Sequence, residues 1–157
     1  MKPRSASRSK TGQPYTGSQR KALLVIEDPM SFQIGLTTLE EYGYQVRVCH
    51  SYQEGVRCLA DEAFDFAMVS QGTPNFEGSC VLKRATETNR SLPVLVVARC
   101  LDMGCYLEAM QLGAVDYLVE PLTMSDIGRV LEAYRPYPKP GGMCGPRQSC
   151  RFGYAAG

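Results

Sequence analysis

Long apolar runs are missing from this chain of 157 residues. Nothing approaches the roughly 18 consecutive apolar residues of a membrane-crossing helix. The longest early run, Ala22 to Ile26, is also too short for the core of a secretion signal, so the sequence predicts a cytoplasmic protein with no membrane contact. Histidine is nearly absent as well. His50 is the only one and lies far from the tail pair Cys144 and Cys150. Four zinc ligands at the usual spacings are therefore not available, and Ser70 has no histidine near it in sequence to serve as a base. Seven cysteines, an odd number, argue against a closed disulfide framework. Cys49, Cys58, Cys80, Cys100 and Cys105 stand among apolar neighbours, where a free cysteine acts as a small hydrophobe.

Acidic residues are missing from both ends. Residues 1–21 carry six basic side chains and no acid, and residues 135–157 carry four more, again without an acid. The stretch between them holds seven basic against 16 acidic residues, so a core of net −9 is flanked by arms of +10. The arms are rich in Ser, Gly and Pro and poor in aliphatic residues. Burial there does not offset the entropy of ordering, and residues 1–20 and 135–157 are expected to be disordered. Their charge suits a solubilising tail lying against the acidic core, or an acidic or nucleic-acid partner.

Between residues 21 and 134 short apolar runs alternate with helix-length amphipathic stretches. Ala22 to Ile26 reads as a strand that ends in Glu27 and Asp28. Asp28 then caps a helix with Pro29 in its first turn, Phe32, Leu36 and Leu39 at helical spacing, and Gly43 as its stop. Tyr44, Val46 and Val48 alternate with polar residues as in a half-exposed strand. Ser51 and Glu54 form a capping-box pattern ahead of a stripe of Val56, Leu59 and Ala63. Phe64 to Val69 and Pro93 to Ala98 are further strands, with a short helix from Gly78 to Thr88 between them. A helix over Asp102 to Leu112, a brief strand at Tyr117 to Val119 and a last helix capped by Ser125 complete the series. Aliphatic runs alternating with helices specify an α/β domain, a doubly wound parallel sheet covered on both faces. In such sheets the functional groups gather beyond the carboxyl ends of the strands. The places to inspect are Glu27/Asp28, Ser70, Ala98/Arg99 and Glu120.

At these residues the chain resembles the receiver domain of two-component response regulators. The segments LLVIEDP, FDFAMVSQGTPNFEG, PVLVV and AMQLGAVDYLVEPL carry the resemblance in order and spacing over roughly residues 21 to 134. It implies a flavodoxin-like fold of five parallel strands in order 2-1-3-4-5 with five helices. It also implies a site in which an aspartate ending the third strand is phosphorylated beside a Mg²⁺-binding acidic pair. Carried over position by position, the acidic pair is Glu27 and Asp28, and the aromatic switch position is Tyr117. The phosphoacceptor position holds Ser70, the Ser/Thr position Ala98, and the lysine position Glu120.

Three of the five chemical positions are thus replaced. A serine hydroxyl without a base is a weak nucleophile. Ala98 offers no hydroxyl to a phosphoryl oxygen. Glu for Lys at about 4 Å in an effective dielectric of 20 swings the interaction by up to ~8 kcal/mol against phosphoryl transfer. Self-phosphorylation and enzymatic activity are therefore not expected, and no cofactor is required; Mg²⁺ should bind Glu27 and Asp28 weakly at best. Clustered Glu27, Asp28 and Glu120 want a cation, and Arg99 is expected to fold over them and tether its loop. The expected role is a degenerate, stand-alone receiver in phosphorelay signalling, a protein-interaction module independent of aspartyl phosphorylation. Its partner would be a histidine kinase, another response regulator, an output protein or a second copy, met through the fourth helix, fifth strand and fifth helix. The alternatives are a switch phosphorylated on serine by a separate kinase and a nucleic-acid adaptor working through the basic arms.

Overall fold

A computed structural model describes residues 19–134. Strands and helices alternate throughout: β1 (Lys21–Val25), α1 (Pro29–Glu41), β2 (Gln45–Val48), α2 (Tyr52–Asp61), β3 (Phe66–Ser70), α3 (Ser79–Thr88), β4 (Val94–Ala98), α4 (Met103–Leu112), β5 (Asp116–Val119) and α5 (Met124–Ala133). All four strand pairings are parallel and the order is β2-β1-β3-β4-β5, as the family resemblance implies. The central strands are apolar apart from Lys21 at the start of β1 and Ser70 at the end of β3, because each faces two cores. Leu23, Val25, Ala67, Val69, Val94 and Val96 point to the layer of α2, α3 and α4. Ala22, Leu24, Phe66, Met68, Leu95 and Val97 point to α1 and α5. Each large aliphatic side chain buried in this way contributes about 1.5–3 kcal/mol. β2 at the sheet edge alternates exposed and half-buried residues, the pattern of an edge strand.

Helix faces depart from the sequence reading in an instructive way. α1 turns Ser31, Gly35, Thr38 and Leu39 to the sheet, whereas Phe32 and Leu36 are only half-buried along its flank. Gly35 is what allows the close approach, since a Cβ there would stand 3.0 Å from Met68 Cε. α4 likewise buries Cys105 and Ala109 and leaves Leu107 and Met110 in solvent. α2 ends at Asp61, so Ala63 lies beyond it and is exposed. Its Ser51 cap accepts from Glu54 N, but the Glu54 carboxylate bonds the His50 N–H rather than completing a box. The cap of α5 is Thr123, not Ser125, and it forms a full capping box with Asp126. Cys80 and Cys100 are exposed, unlike Cys49, Cys58 and Cys105. Helix α1 stops where predicted, with Gly43 at φ 88° after the Tyr42 cap.

The basic arms lie outside the described residues, apart from Gln19 and Arg20. Arg20 is held against the domain. Its guanidinium sits 5.0 Å above the Tyr44 ring and donates to the Tyr42 carbonyl at 3.2 Å. No helix of the described residues is long and apolar enough to cross a membrane.

Candidate functional site

The order of the sheet reverses at β1, and a cavity of about 320 Å³ opens there beyond the carboxyl ends of β1, β3, β4 and β5. Glu27, Asp28, Ser70, Arg99 and Glu120, singled out from the sequence on separate segments, all line it. Register explains the convergence. Ser70 pairs with Val97 and Ala98 with Val119. Two further bonds, Gln71 N to Val97 O at 2.7 Å and Glu120 N to Ala98 O at 2.8 Å, extend the sheet one residue past those strand ends. Gly78 lets the loop after β3 turn back tightly, because a Cβ there would meet the Ser70 carbonyl oxygen at 2.1 Å.

Ser70 is the last residue of β3 and is 8% exposed. Its Oγ lies 2.9 Å from the hydroxyl of Tyr52, the first residue of α2. Burial, reinforced by the nearby Glu27 carboxylate, pushes the Tyr52 phenol up to about 12, so it is a neutral hydroxyl and not a base. The partner that meets the Ser70 hydroxyl is therefore not one that activates it. Ala98, 2% exposed, does not line the cavity and packs its methyl group into the core on the α2, α3 and α4 side of the sheet.

The acids are satisfied locally. Asp28 Oδ2 accepts from the Ser31 N–H at 2.9 Å and caps α1. The Ser31 hydroxyl, buried, donates to Glu120 Oε2 at 2.5 Å. One serine thus links both carboxylates, drawing Glu120 towards α1 in a charge-assisted bond. Arg99 does not supply the expected tether. It lines the cavity but is exposed and pairs with none of the three acids. The cavity mouth leaves the guanidinium hydrated, and closing it over a carboxylate would cost desolvation that a surface pair scarcely repays. Among the described residues no three His, Cys, Asp or Glu side chains come close enough together to hold a metal ion. With one Asp28 oxygen committed to its helix and a hydroxyl in place of a third carboxylate, the donor set does not fit a divalent cation of the family kind.

Tyr117 in β5 is 7% exposed. Its hydroxyl donates to Gln71 Oε1, and its ring meets Tyr106 of α4 edge-on at 5.5 Å and 85°. Burial also pushes this phenol up. The Gln71 amide in turn donates to the Thr73 carbonyl at 3.3 Å. The loop beyond is fixed by Glu77, which accepts from the Thr73 N–H at 2.7 Å and its hydroxyl at 3.0 Å. These bonds hold the Glu77 carboxyl below the usual range. Ser31, Tyr52 and Gln71 are the site residues that sequence reasoning missed. Only Gln71 left a signal, a polar residue straight after an unbroken apolar strand.

The sequence model of the response regulator receiver domain matches residues 23–132. The chain belongs to the response regulator receiver family. Receivers serve two-component signalling and meet histidine kinases and other proteins of those systems. Among curated relatives, the transcriptional regulatory protein ZraR of Escherichia coli K12 is 27% identical over 111 residues, 70% of this chain and 25% of ZraR. The transcriptional regulatory protein QseB of Escherichia coli O157:H7 is 28% identical over 112 residues, 71% of this chain and 51% of QseB. This receiver therefore spans between a quarter and a half of these relatives. Among solved structures, a response regulator from Burkholderia pseudomallei, which carries a phosphorylated aspartic acid, is 28% identical with TM-score 0.60, covering 71% of this chain and 66% of that one. A CheY-like receiver from Methanospirillum hungatei JF-1 shares the fold at 21% identity and TM-score 0.63, covering 73% of this chain and 94% of that one.

Proposed function

We propose that this receiver is a protein-interaction module of phosphorelay signalling whose output does not depend on an aspartyl phosphate. The observation that carries the reading is Ser70. It stands at the end of β3, where the family resemblance puts the phosphoacceptor, and its hydroxyl is already bonded to a neutral Tyr52. A phosphoryl group arriving there would find no carboxylate to form the acyl phosphate. It would also find no hydroxyl at Ala98 and a negative charge at Glu120 where a cation would be needed. Phosphorylation of Ser70 by a separate kinase is disfavoured by the same burial.

Partner contact is assigned to α4, β5 and the start of α5. Leu101, Met103 and Leu107 at and on α4 are 59%, 56% and 53% exposed, and Met110, Val119 and Met124 flank them. Large apolar side chains left in water at this density mark interaction surfaces. The partner is a histidine kinase, another response regulator, an output protein or a second copy of the chain.

Intact-protein mass after incubation with acetyl phosphate and Mg²⁺ tests the reading. The wild type should gain no phosphate, while a chain with Ser70→Asp, Ala98→Thr and Glu120→Lys together should gain one. A single stable adduct mapping to Ser70 of the wild type would overturn it.

A further inference from the structure

The site chemistry leaves one pair of nucleophilic side chains unused. Cys49 follows β2 at the start of the loop into α2, and Cys58 lies on the inner face of α2. They are 2% and 5% exposed, and the Cys49 thiol donates to Cys58 Sγ at 3.3 Å. A disulfide needs the sulfurs at about 2.05 Å, so closure asks for an approach of roughly 1.3 Å. The segment that would move is short, the three residues Cys49, His50 and Ser51 between an edge strand and a helix.

The Arg47 guanidinium lies near both sulfurs, and the cysteines together with Glu62 hold its proton more firmly. Cys49 is pushed up to about 12, by burial first and then by its bond to Cys58. The Cys49 thiol keeps its proton and donates it to Cys58 Sγ, so Cys49 is the resolving group and Cys58, the acceptor, the attacking one.

We propose that Cys49 and Cys58 form a reversible intramolecular disulfide when the chain meets a peroxide. The Cys58 thiol gives its proton to water, and the thiolate attacks one peroxide oxygen. The O–O bond breaks and the departing hydroxide takes up a proton as water, leaving Cys58 as a sulfenic acid. The Cys49 sulfur then displaces the sulfenic hydroxide, which leaves as a second water carrying the Cys49 proton, and the S–S bond forms. Two thiols are oxidised by two electrons, hydrogen peroxide is reduced to two waters, and a dithiol reductant reverses the change. The closed ring brackets Tyr52, the residue that occupies the Ser70 hydroxyl, so oxidation clamps the first turn of α2 over the site.

The full chain carrying Cys80→Ser, reduced and then exposed to stoichiometric hydrogen peroxide, provides the test. It is quenched in acid, unfolded and alkylated. Trypsin cuts after Arg47 and Arg57, which puts Cys49 on peptide 48–57 and Cys58 on peptide 58–83. The expected result is loss of two alkylatable thiols and a joined 48–57/58–83 species that dithiothreitol separates. Further Cys49→Ala or Cys58→Ala substitution should abolish it, with circular dichroism confirming that each variant folds. Slower amide exchange over Tyr52 to Gly55 in the oxidised chain would follow from the clamp. Recovery of both cysteines fully alkylated while exposed Cys100 is oxidised, or a cross-link to another cysteine, would overturn the proposal. If either Ala variant fails to fold, the peptide map of the Cys80→Ser chain decides alone.

Discussion

At the scale of single residues, the site is governed by hydroxyls rather than by charges. Tyr52 covers Ser70, Ser31 links Asp28 to Glu120, and Tyr117 bonds Gln71. Each is a buried or half-buried polar group whose partner is a neighbouring side chain, and a group so placed is costly to leave alone. Gln71→Leu would orphan the Tyr117 hydroxyl in a nearly dry position. The expected cost is about 1–2 kcal/mol in urea unfolding, with a changed environment for the Tyr117 ring in aromatic NMR spectra. An unchanged ring spectrum would mean that packing against Tyr106, not the amide, holds the ring. Of these contacts only the Asp28 cap of α1 was legible in the sequence. Glu27, Asp28, Ser70, Arg99 and Glu120 could be gathered into one cavity because strand ends collect there. Which hydroxyl meets which carboxylate depends on side-chain directions across segments up to 89 residues apart.

At the scale of elements, the strands were the most legible because apolar continuity on both faces leaves little else for them to be. Helix faces were less so. In α1 and α4 the residues nearest the sheet are small (Ser31, Gly35 and Thr38, and Cys105 and Ala109), so a reading by bulky side chains selects the flank. The α5 cap was misplaced by two residues because Ser125 and Thr123 are both competent. The reciprocal Asp126 bond favours Thr123. Thr123→Ala should cost about 1 kcal/mol and lower the melting temperature by roughly 4 °C. The Thr123 bonds hold the Asp126 carboxyl below its ordinary value, as the Lys21 bond does for Glu62. Their stabilising effect is therefore complete above the unfolded carboxylate range near 4 and is lost as pH falls through the lower folded values. Melting temperature followed from pH 7 to 3 should fall at the acid end, and less steeply in Thr123→Ala than in wild type. Parallel curves would show that Asp126 gains nothing from its cap.

At the scale of the whole molecule, two surfaces lie on the same elements but answer to different forces. The cavity gathers acids at the strand ends, while α4 and its neighbours carry large apolar side chains outward. Leu107→Asp touches only the second. It should leave chemical stability within about 0.5 kcal/mol yet weaken capture of a cognate signalling protein, or self-association by analytical ultracentrifugation, at least tenfold. Unchanged association would move the contact elsewhere. Tyr117 joins the two surfaces, since its hydroxyl reaches the cavity through Gln71 and its ring abuts Tyr106 on α4. Under the proposed reading no phosphoryl group releases a component latched at both ends, so phosphotransfer finds it in one posture. On that reading its message lies in how many copies are present. It would act by dose, occupying partners in proportion to its abundance and competing with receivers that still take a phosphate, so that control passes from kinase to synthesis and turnover.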